Sequence, residues 1–429
     1  MAEKQDFAGY RVAIGCFIIM FVHSGMLTTI GLFIPIFARE FTLDPGLVVL
    51  IVSFATGAAF FANFAVPKAL STIGAKKTLF IATSLCALHY VVFYLSNGLL
   101  MLYVAGAIGG LVLGFGAQAC MAAVISSWFI EKRATVIGMV FGGSAFGSAV
   151  CLFLTGNLIQ QFGWRNAYLV NAVIILVLGF GANIFFIRTP ESMGQKALGW
   201  DKQGGSAATP GAAAQPLGVD LPTARGTMSF WLIMLGVLLS GMLITGWQSF
   251  APAFWQSSGI EQIRSSNYAS LFSLIGAAAM LYSGVVADKF GNKVYLSYLI
   301  AAFIAGTILL IQFTNVSTAM SVGTILICGL SFPLSSSVPA TVTTDSFGRA
   351  FYTQIMSSFT AMLYLGKCVG PATMGYFRRS FGFAGAYWVL IAAAAVSLVI
   401  LIIAVNIAPM RKLRAAAQQN AGAVGAKAS

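Results

Sequence analysis

Apolar residues fill this chain in runs of about 20, and short polar or glycine-rich stretches separate the runs. An α-helix of that length spans the hydrocarbon core of a bilayer, while the alternating pattern of membrane β-barrel strands is absent. The pattern therefore predicts an all-α membrane protein. Its twelve transmembrane helices fall approximately at 11–37, 47–70, 77–96, 99–127, 134–160, 166–188, 228–255, 266–287, 293–313, 318–342, 351–377 and 383–408.

One long stretch interrupts the apolar pattern between the sixth and seventh spans. Between Gly204 and Pro222 it is rich in Gly, Pro and other small residues, which is typical of a flexible connector. We therefore predict a six-helix N-terminal half, a cytoplasmic linker, a six-helix C-terminal half and a cytoplasmic tail. These regions are 1–188, 189–227, 228–408 and 409–429.

The two halves repeat each other in sequence. The matching segments are 24–27 and 240–243, 71–77 and 288–293, and 162–168 and 381–387. They occur in the same order, and their residue numbers differ by 216 to 219 throughout. This indicates a duplicated six-helix unit with pseudo-symmetric halves. Parallel repeats of this kind are a transporter architecture, in which the substrate site lies between the halves near the middle of the membrane.

Composition and charge agree with a membrane protein. The chain is 59% hydrophobic and 8% charged, whereas about a quarter of the residues in a soluble domain are charged. With both termini in the cytoplasm, 18 Lys and Arg residues lie on the inner side and 5 on the outer side. This is the positive-inside pattern, so the net charge of +13 predicts topology and attraction to anionic membrane lipid, not nucleic-acid binding.

Several loops carry motifs of a known family. Residues 284–293 (GVVADKFGNK) resemble the loop motif G-x-x-x-D-R/K-x-G-R/K of the major facilitator superfamily. Residues 128–133 with Gly138, 163–165 and 190–194 look like elements of its oxalate/formate antiporter and monocarboxylate carrier branch. The resemblance implies a secondary transporter with twelve helices, and we expect it to act as a monomer in the cytoplasmic (inner) membrane.

The chain departs from that family in two places. Ser71 stands where the first loop motif has Asp, so we expect this half of the gate to lack its carboxylate contacts. The eighth span, 266–287, contains no Arg or Asp, and Arg264 sits only at its outer end. Many carboxylate carriers that the chain resembles place a basic residue in this span. The departure argues against a two-cation clamp for a dicarboxylate.

Lys367 lies in the middle of the eleventh span. A cation at bilayer depth costs about 2.5–3.5 kcal/mol on insertion scales, so it usually marks a cavity, a partner or a substrate. Thr353, Ser357, Thr360, Tyr364 and Lys367 are spaced 4, 3, 4 and 3 residues apart and so form one polar stripe. The alternative is a structural lysine that extends to an interface, which its distance from both ends disfavours.

The predicted spans contain no Asp or Glu that could neutralise Lys367. A buried lysine without a partner either gives up its proton or takes an anion. A small organic anion therefore fits this chain better than a cation. Its carboxylate would pair with Lys367 and accept a hydrogen bond from Tyr364 or Thr360.

Four further residues are candidates for the substrate site. His23, in the first span, could bind substrate or carry a proton, or it could be a neutral histidine bonded to a neighbouring helix. Trp247 in the seventh span could form an apolar wall of the site, and Gln248 in the seventh span and Gln118 in the fourth could supply hydrogen-bonding groups. The alternative is that these three residues only pack against neighbouring helices.

Asp288, Lys289 and Gly291 form a predicted gate. A carboxylate in a short loop can cap a helix N-terminus or pair with a cation, and so hold one conformation closed. The alternative is an ordinary turn whose charges only set topology. The six cysteines have no metal-ligand spacing, and no glycine run has the strand–helix context of a nucleotide site, so we predict no metal and no cofactor.

These patterns predict a transporter and not an enzyme. The favoured substrate is a small organic anion, in the first place a monocarboxylate, moved by alternating access as anion exchange or as proton symport. A proton-driven exporter of amphipathic compounds is an alternative, which 35 phenylalanines permit and the lack of a membrane carboxylate disfavours. An intramembrane enzyme or sensor would need a nucleophile–base pair, metal ligands or an output domain, and the sequence offers none.

Overall fold

The computed structural model describes residues 7–43, 45–116, 118–200, 218–313 and 318–410. Within these ranges the chain is mainly helical and has two isolated bridges but no β-strand. Most of the predicted tail, from residue 411 onward, lies outside the described residues, as do residues 201–217 of the predicted linker.

The described residues of the first half form eight helices. They are α1 (Gly9–Leu27), α2 (Ile30–Glu40), α3 (Pro45–Thr72), α4 (Gly74–Tyr94), α5 (Leu99–Phe115), α6 (Gln118–Trp128), α7 (Arg133–Ile175) and α8 (Gly181–Phe185), with a π-helical turn at Leu176–Phe180. The described parts of the linker contain a 3₁₀ turn, Glu191–Met193, and the short helix α9, Leu221–Arg225.

The second half has five described helices. They are α10 (Met228–Ser257), α11 (Gln262–Phe313), α12 (Thr318–Gly329), α13 (Val338–Phe347) and α14 (Tyr352–Asn406), with a 3₁₀ turn at Phe332–Ser335 between α12 and α13.

Glycine turns repeat in the two halves. The helices α7, α11 and α14 fold back at Gly163, Gly291 and Gly382, where φ is 78°, 82° and 71°. The turn between α3 and α4 has Gly74 at φ 80°. Glycine enters this region without the steric strain that a side chain brings. Since Gly74 corresponds to Gly291 and Gly163 to Gly382 in the sequence repeat, the pseudo-symmetric halves predicted from sequence are confirmed in the backbone.

The described helices are consistent with twelve crossings. Eight helical runs in the described residues are long and apolar enough to cross a membrane. Three of these runs fold back at the glycines and supply two crossings each. The predicted tenth span is divided between α12, the 3₁₀ turn and α13.

Two of the predicted spans contain a break in the α-helix, which the sequence analysis did not predict. In the fourth span α5 ends at Phe115 and α6 begins at Gln118, and in the tenth the α-helix is broken around Phe332–Ser335. Adding the repeat offset to Gly116 leads to this same 3₁₀ turn, so the breaks are equivalent. Interrupted helices at matching positions in two repeats are typical of transporter folds.

The halves share a buried contact at one end of the molecule. Two apolar clusters belong to one half each, and a third combines both halves. The third cluster contains Trp128, Ile137 and Phe141 from the first half and Met280, Ala340, Tyr352 and Met356 from the second. We call this end the basic face, because its turns carry Lys76, Lys77, Lys132, Lys289 and Lys293.

Candidate functional site

Lys367 lies in α14 at a crossing of closely packed helices. Gly366 and Gly370 leave no room for a Cβ atom, because the carbonyl groups of Leu238 and Met242 in α10 lie against them. The Lys367 side chain is half-buried, and its Nζ lies 4.8 Å from the centre of the Tyr364 ring. Within the described residues, Lys367 has no hydrogen bond or ion pair from its side chain.

The site is shared between the two halves. Tyr364 is buried in α14, and Gln118 of the first half interacts electrostatically with its hydroxyl without forming a hydrogen bond to it. Gln118 begins α6 at the break in the fourth span and is 5% exposed, and its Oε1 has no hydrogen-bond partner. Near the same level, the Cys368 thiol of α14 points to the Ser53 carbonyl of α3 at 4.0 Å. The structure thus brings Lys367, Tyr364 and Gln118 together at the interface between the two halves, which we call the seam.

Thr360 and Ser357 continue the polar stripe toward the basic face. The Thr360 hydroxyl is buried and donates a hydrogen bond of 2.8 Å to the Met356 carbonyl in its own helix. Its oxygen keeps the capacity to accept. The Ser357 hydroxyl is buried without any partner.

His23 is fully buried inside the first half. Its Nδ1 is 3.0 Å from the Gly116 carbonyl, next to the break in the fourth span, and its Nε2 is 3.0 Å from the Thr83 hydroxyl. The first contact makes Nδ1 a donor, because a carbonyl only accepts. These contacts fit the neutral histidine bonded to neighbouring helices, and no recorded contact joins His23 to Lys367.

Trp247 belongs to the core of the second half. It is buried, stacks on Phe272 with ring centres 4.6 Å apart, and meets Trp255 edge to face at 6.1 Å. Its indole Nε1 has no hydrogen-bond partner. Gln248 is half-buried beside it. The structure shows no direct contact from either residue to Lys367, so both remain candidates only.

The predicted gate residue Asp288 caps a helix of the opposite half. Its carboxylate accepts hydrogen bonds from the backbone N–H groups of Ala134 (3.3 Å) and Thr135 (2.8 Å) and from the Thr135 hydroxyl (2.6 Å), at the start of α7. Gly291 supplies the reversal within the same loop, and Lys289 is exposed. A carboxylate is favourable there, because the N-terminus of a helix carries partial positive charge.

Arg133 is a residue at this gate that the sequence did not single out. It is 5% exposed, and its guanidinium lies 3.9 Å from the centre of the Tyr352 ring in α14, with no hydrogen bond from its three nitrogens. Arg349 makes a further link across the seam, from Nη2 to the Ile130 carbonyl at 3.0 Å. The Lys132-Arg133 pair before the fifth span marks this position in the sequence, but only the structure shows that Arg133 contacts Tyr352.

A helical fold of two repeated halves, consistent with twelve crossings, is typical of membrane transporters. The sequence pattern of the Major Facilitator Superfamily matches residues 16–371, with a further match at 266–427. The chain belongs to this family and is a multi-pass membrane transporter. The family assignment also indicates a transporter and not an enzyme.

Known relatives support the carboxylate branch. The chain is 26% identical over 311 residues to the cis,cis-muconate transport protein of Acinetobacter baylyi, covering 72% of this chain and 71% of that protein. It is 29% identical over 237 residues to human monocarboxylate transporter 11, covering 54% and 46%. The solved proton:xylose symporter XylE, bound to 6-bromo-6-deoxy-D-glucose, aligns with a TM-score of 0.70, 13% identity and coverage of 92% and 94%, which shows the fold alone. The resemblance predicted from the loop motifs is confirmed.

Proposed function

We propose that this transporter moves a small organic anion, with a carboxylate bound by Lys367, through alternating access of its two halves. The observation that carries the proposal is a lysine at the seam without a counter-ion in the described residues, beside Tyr364 and Gln118. A carboxylate there would neutralise the ammonium group and could accept hydrogen bonds from the phenol and the amide. Relatives named for muconate and monocarboxylate transport support this substrate class.

A monocarboxylate is the favoured substrate. The site offers one cation, and the eighth span, 266–287, contains no second one. Muconate carries two carboxylates. A dicarboxylate of this kind would bind here with one carboxylate on Lys367 and the other on neutral hydrogen-bond donors. Removing two charges from water with only one cation to receive them is less favourable than removing one.

The basic face is proposed to lie in the cytoplasm, with both termini on the same side of an inner membrane. The positive-inside distribution supports this orientation. One chain supplies both walls of the site, so we propose that the monomer is the functional unit. The contacts of Asp288 and Arg133 would then close the cytoplasmic side, and their release would open it.

Coupling follows from the charge on Lys367, and two modes are open. If the lysine stays charged, the empty carrier must move an unpaired cation through closed states, which favours exchange of one anion for another. If Lys367 or another group, such as His23, releases a proton when the site is empty, the same residues support proton–anion symport.

Transport by Lys367 variants in proteoliposomes tests the proposal. We expect Lys367→Gln to abolish uptake of labelled monocarboxylates while the protein keeps its melting temperature, and Lys367→Arg to keep part of the activity. Lys293→Gln is the matched control, because it removes an equal charge from an exposed position on the basic face. Wild-type uptake by Lys367→Gln would refute the binding role of this lysine.

A further inference from the structure

Equivalent helix N-termini in the two halves differ in whether a carboxylate caps them. At the start of α7, Asp288 accepts from the N–H groups of Ala134 and Thr135. In the repeat, these two positions correspond to Thr353 and Gln354 at the start of α14. The position that corresponds to Asp288 is Ser71, which has no carboxylate.

The start of α14 is left without a cap. The Ser71 hydroxyl donates to the Lys68 carbonyl in its own helix at 3.0 Å, and Phe351, which precedes α14, supplies no side-chain cap. Within the described part of the chain, no acceptor is recorded for the N–H groups of Thr353 and Gln354. Free N–H groups and the helix dipole make such a terminus attractive to an anion.

An acid-free groove opens at this helix start. One cavity of about 420 Å³ is lined by Ser71, Thr353 and Gln354, among others. It shares Ser71 and Gln354 with a neighbouring cavity of about 370 Å³, which adds Lys68 and Arg225. Neither cavity has an Asp or Glu among its described lining residues. By contrast, the space around Asp288 is about 170 Å³ and has two carboxylates in its wall.

A buried polar group without a hydrogen-bond partner in the described residues also lies in the wall of this groove. Ser357 lines the second cavity, is 1% exposed, and its Oγ makes no hydrogen bond. Lys68 comes from the first half and Arg225 from the linker helix α9. Both are exposed, and neither side chain has an ion pair or hydrogen bond within the described residues. Two cations, an unpartnered hydroxyl and two free N–H groups therefore border two neighbouring cavities, and the described residues that line these cavities include no acid.

We propose that a phosphate oxyanion, the headgroup of an anionic phospholipid, occupies this groove and replaces the carboxylate that Ser71 lacks. It would cap α14 and join the two halves at the basic face. A lipid is favoured over a free anion because Phe64, one turn before Lys68, is 45% exposed and offers an apolar surface for an acyl chain. Basic pockets between membrane helices on the cytoplasmic side bind such headgroups. The inference rests on the proposed orientation of the basic face, but not on the proposed substrate.

Lipid binding can be measured on the whole protein in nanodiscs. We expect phosphatidylglycerol nanodiscs to raise the melting temperature above that in phosphatidylcholine nanodiscs, and native mass spectrometry to show retained phosphatidylglycerol. The double variant Lys68→Gln/Arg225→Gln should weaken retention about thirtyfold, or roughly fivefold for each charge. The control Lys77→Gln/Lys293→Gln removes the same charge from exposed positions that line neither cavity and should retain the lipid.

Restoring the carboxylate gives a second test. We expect Ser71→Asp to raise the melting temperature in phosphatidylcholine and to abolish the additional effect of phosphatidylglycerol. Equal stability of the wild type in both lipids, or an unchanged lipid response in Ser71→Asp, would overturn the proposal. Inorganic phosphate in phosphatidylcholine that reproduces the full effect would reject the lipid as the source. Lys367→Gln should respond to phosphatidylglycerol like the wild type, so loss of transport and loss of lipid binding are separable.

Discussion

Lys367 meets an aromatic ring and a tight helix crossing, but no carboxylate within the described residues. A cation–π contact contributes about 0.5–2 kcal/mol, depending on how far the cation is desolvated. Placing a lysine at bilayer depth costs about 2.5–3.5 kcal/mol. The Tyr364 ring therefore offsets only part of that cost, and an arriving anion would supply the rest.

Gln118 is expected to contribute to anion binding through the site that it shares with Tyr364. We predict that Gln118→Leu raises the KM for a monocarboxylate about tenfold or more, since a hydrogen bond to a charged group is worth about 1.5–3 kcal/mol. Initial uptake rates in proteoliposomes over a range of substrate concentrations would give the value. Gln161→Leu, at an exposed position of α7, is the control. An unchanged KM in Gln118→Leu would remove Gln118 from the site.

The start of α7 shows how one side chain can hold two halves together. Asp288 belongs to the second half, while Ala134 and Thr135 belong to the first, so separation of the halves breaks all three hydrogen bonds. Helix caps of this kind contribute about 0.5–2 kcal/mol. An energy of that size shifts the equilibrium between a closed and an open basic face about tenfold, so both states stay accessible, as a gate requires.

Loss of this cap should open the basic face. We predict that Asp288→Ala raises the labelling rate of a cysteine introduced at Thr344, in the wall of the 170 Å³ cavity, about tenfold. Thr135→Val should have a smaller effect, because it removes one of the three donors. Thiol labelling of purified protein followed by mass spectrometry measures the rate, with Lys293→Gln as the control. Identical rates in Asp288→Ala and the wild type would argue against the gate.

The spans, the repeat and the position of Asp288 at a helix end could be predicted from the sequence, because each depends on local pattern. Apolar length reveals a crossing, and a glycine turn with an acid nearby reveals a loop at a helix end. The break at Gly116 could not be predicted, because the flanking residues are as apolar as those of an intact helix and the contacting residue, His23, comes from another span. The Arg133–Tyr352 contact joins positions more than 200 residues apart, and pairings of that kind appear only in three dimensions.

The molecule as a whole is closed at the basic face by contacts that belong to both halves. Asp288 on α7, Arg133 on Tyr352 and Arg349 on Ile130 all cross the seam there. Lys367 lies further along the same seam, in α14, the helix that begins at the gate. The proposed binding residue Lys367 and the contacts at the basic face therefore belong to one helix. Under the proposed function, this arrangement would give a bound anion a direct route by which to bias the position of the two halves.

Exchange should dominate transport if Lys367 keeps its proton in the empty carrier. An unpaired ammonium group in a closed state costs several kcal/mol more than a neutralised pair, so the empty carrier should return slowly. We predict that external substrate accelerates efflux of preloaded labelled monocarboxylate at least tenfold, measured in proteoliposomes with the pH equal on both sides and a protonophore present. Lys293→Gln should show the same acceleration as the wild type. Efflux that is equally fast without external substrate would reject obligatory exchange. In vesicles without the protonophore, proton uptake accompanying each anion would identify symport instead.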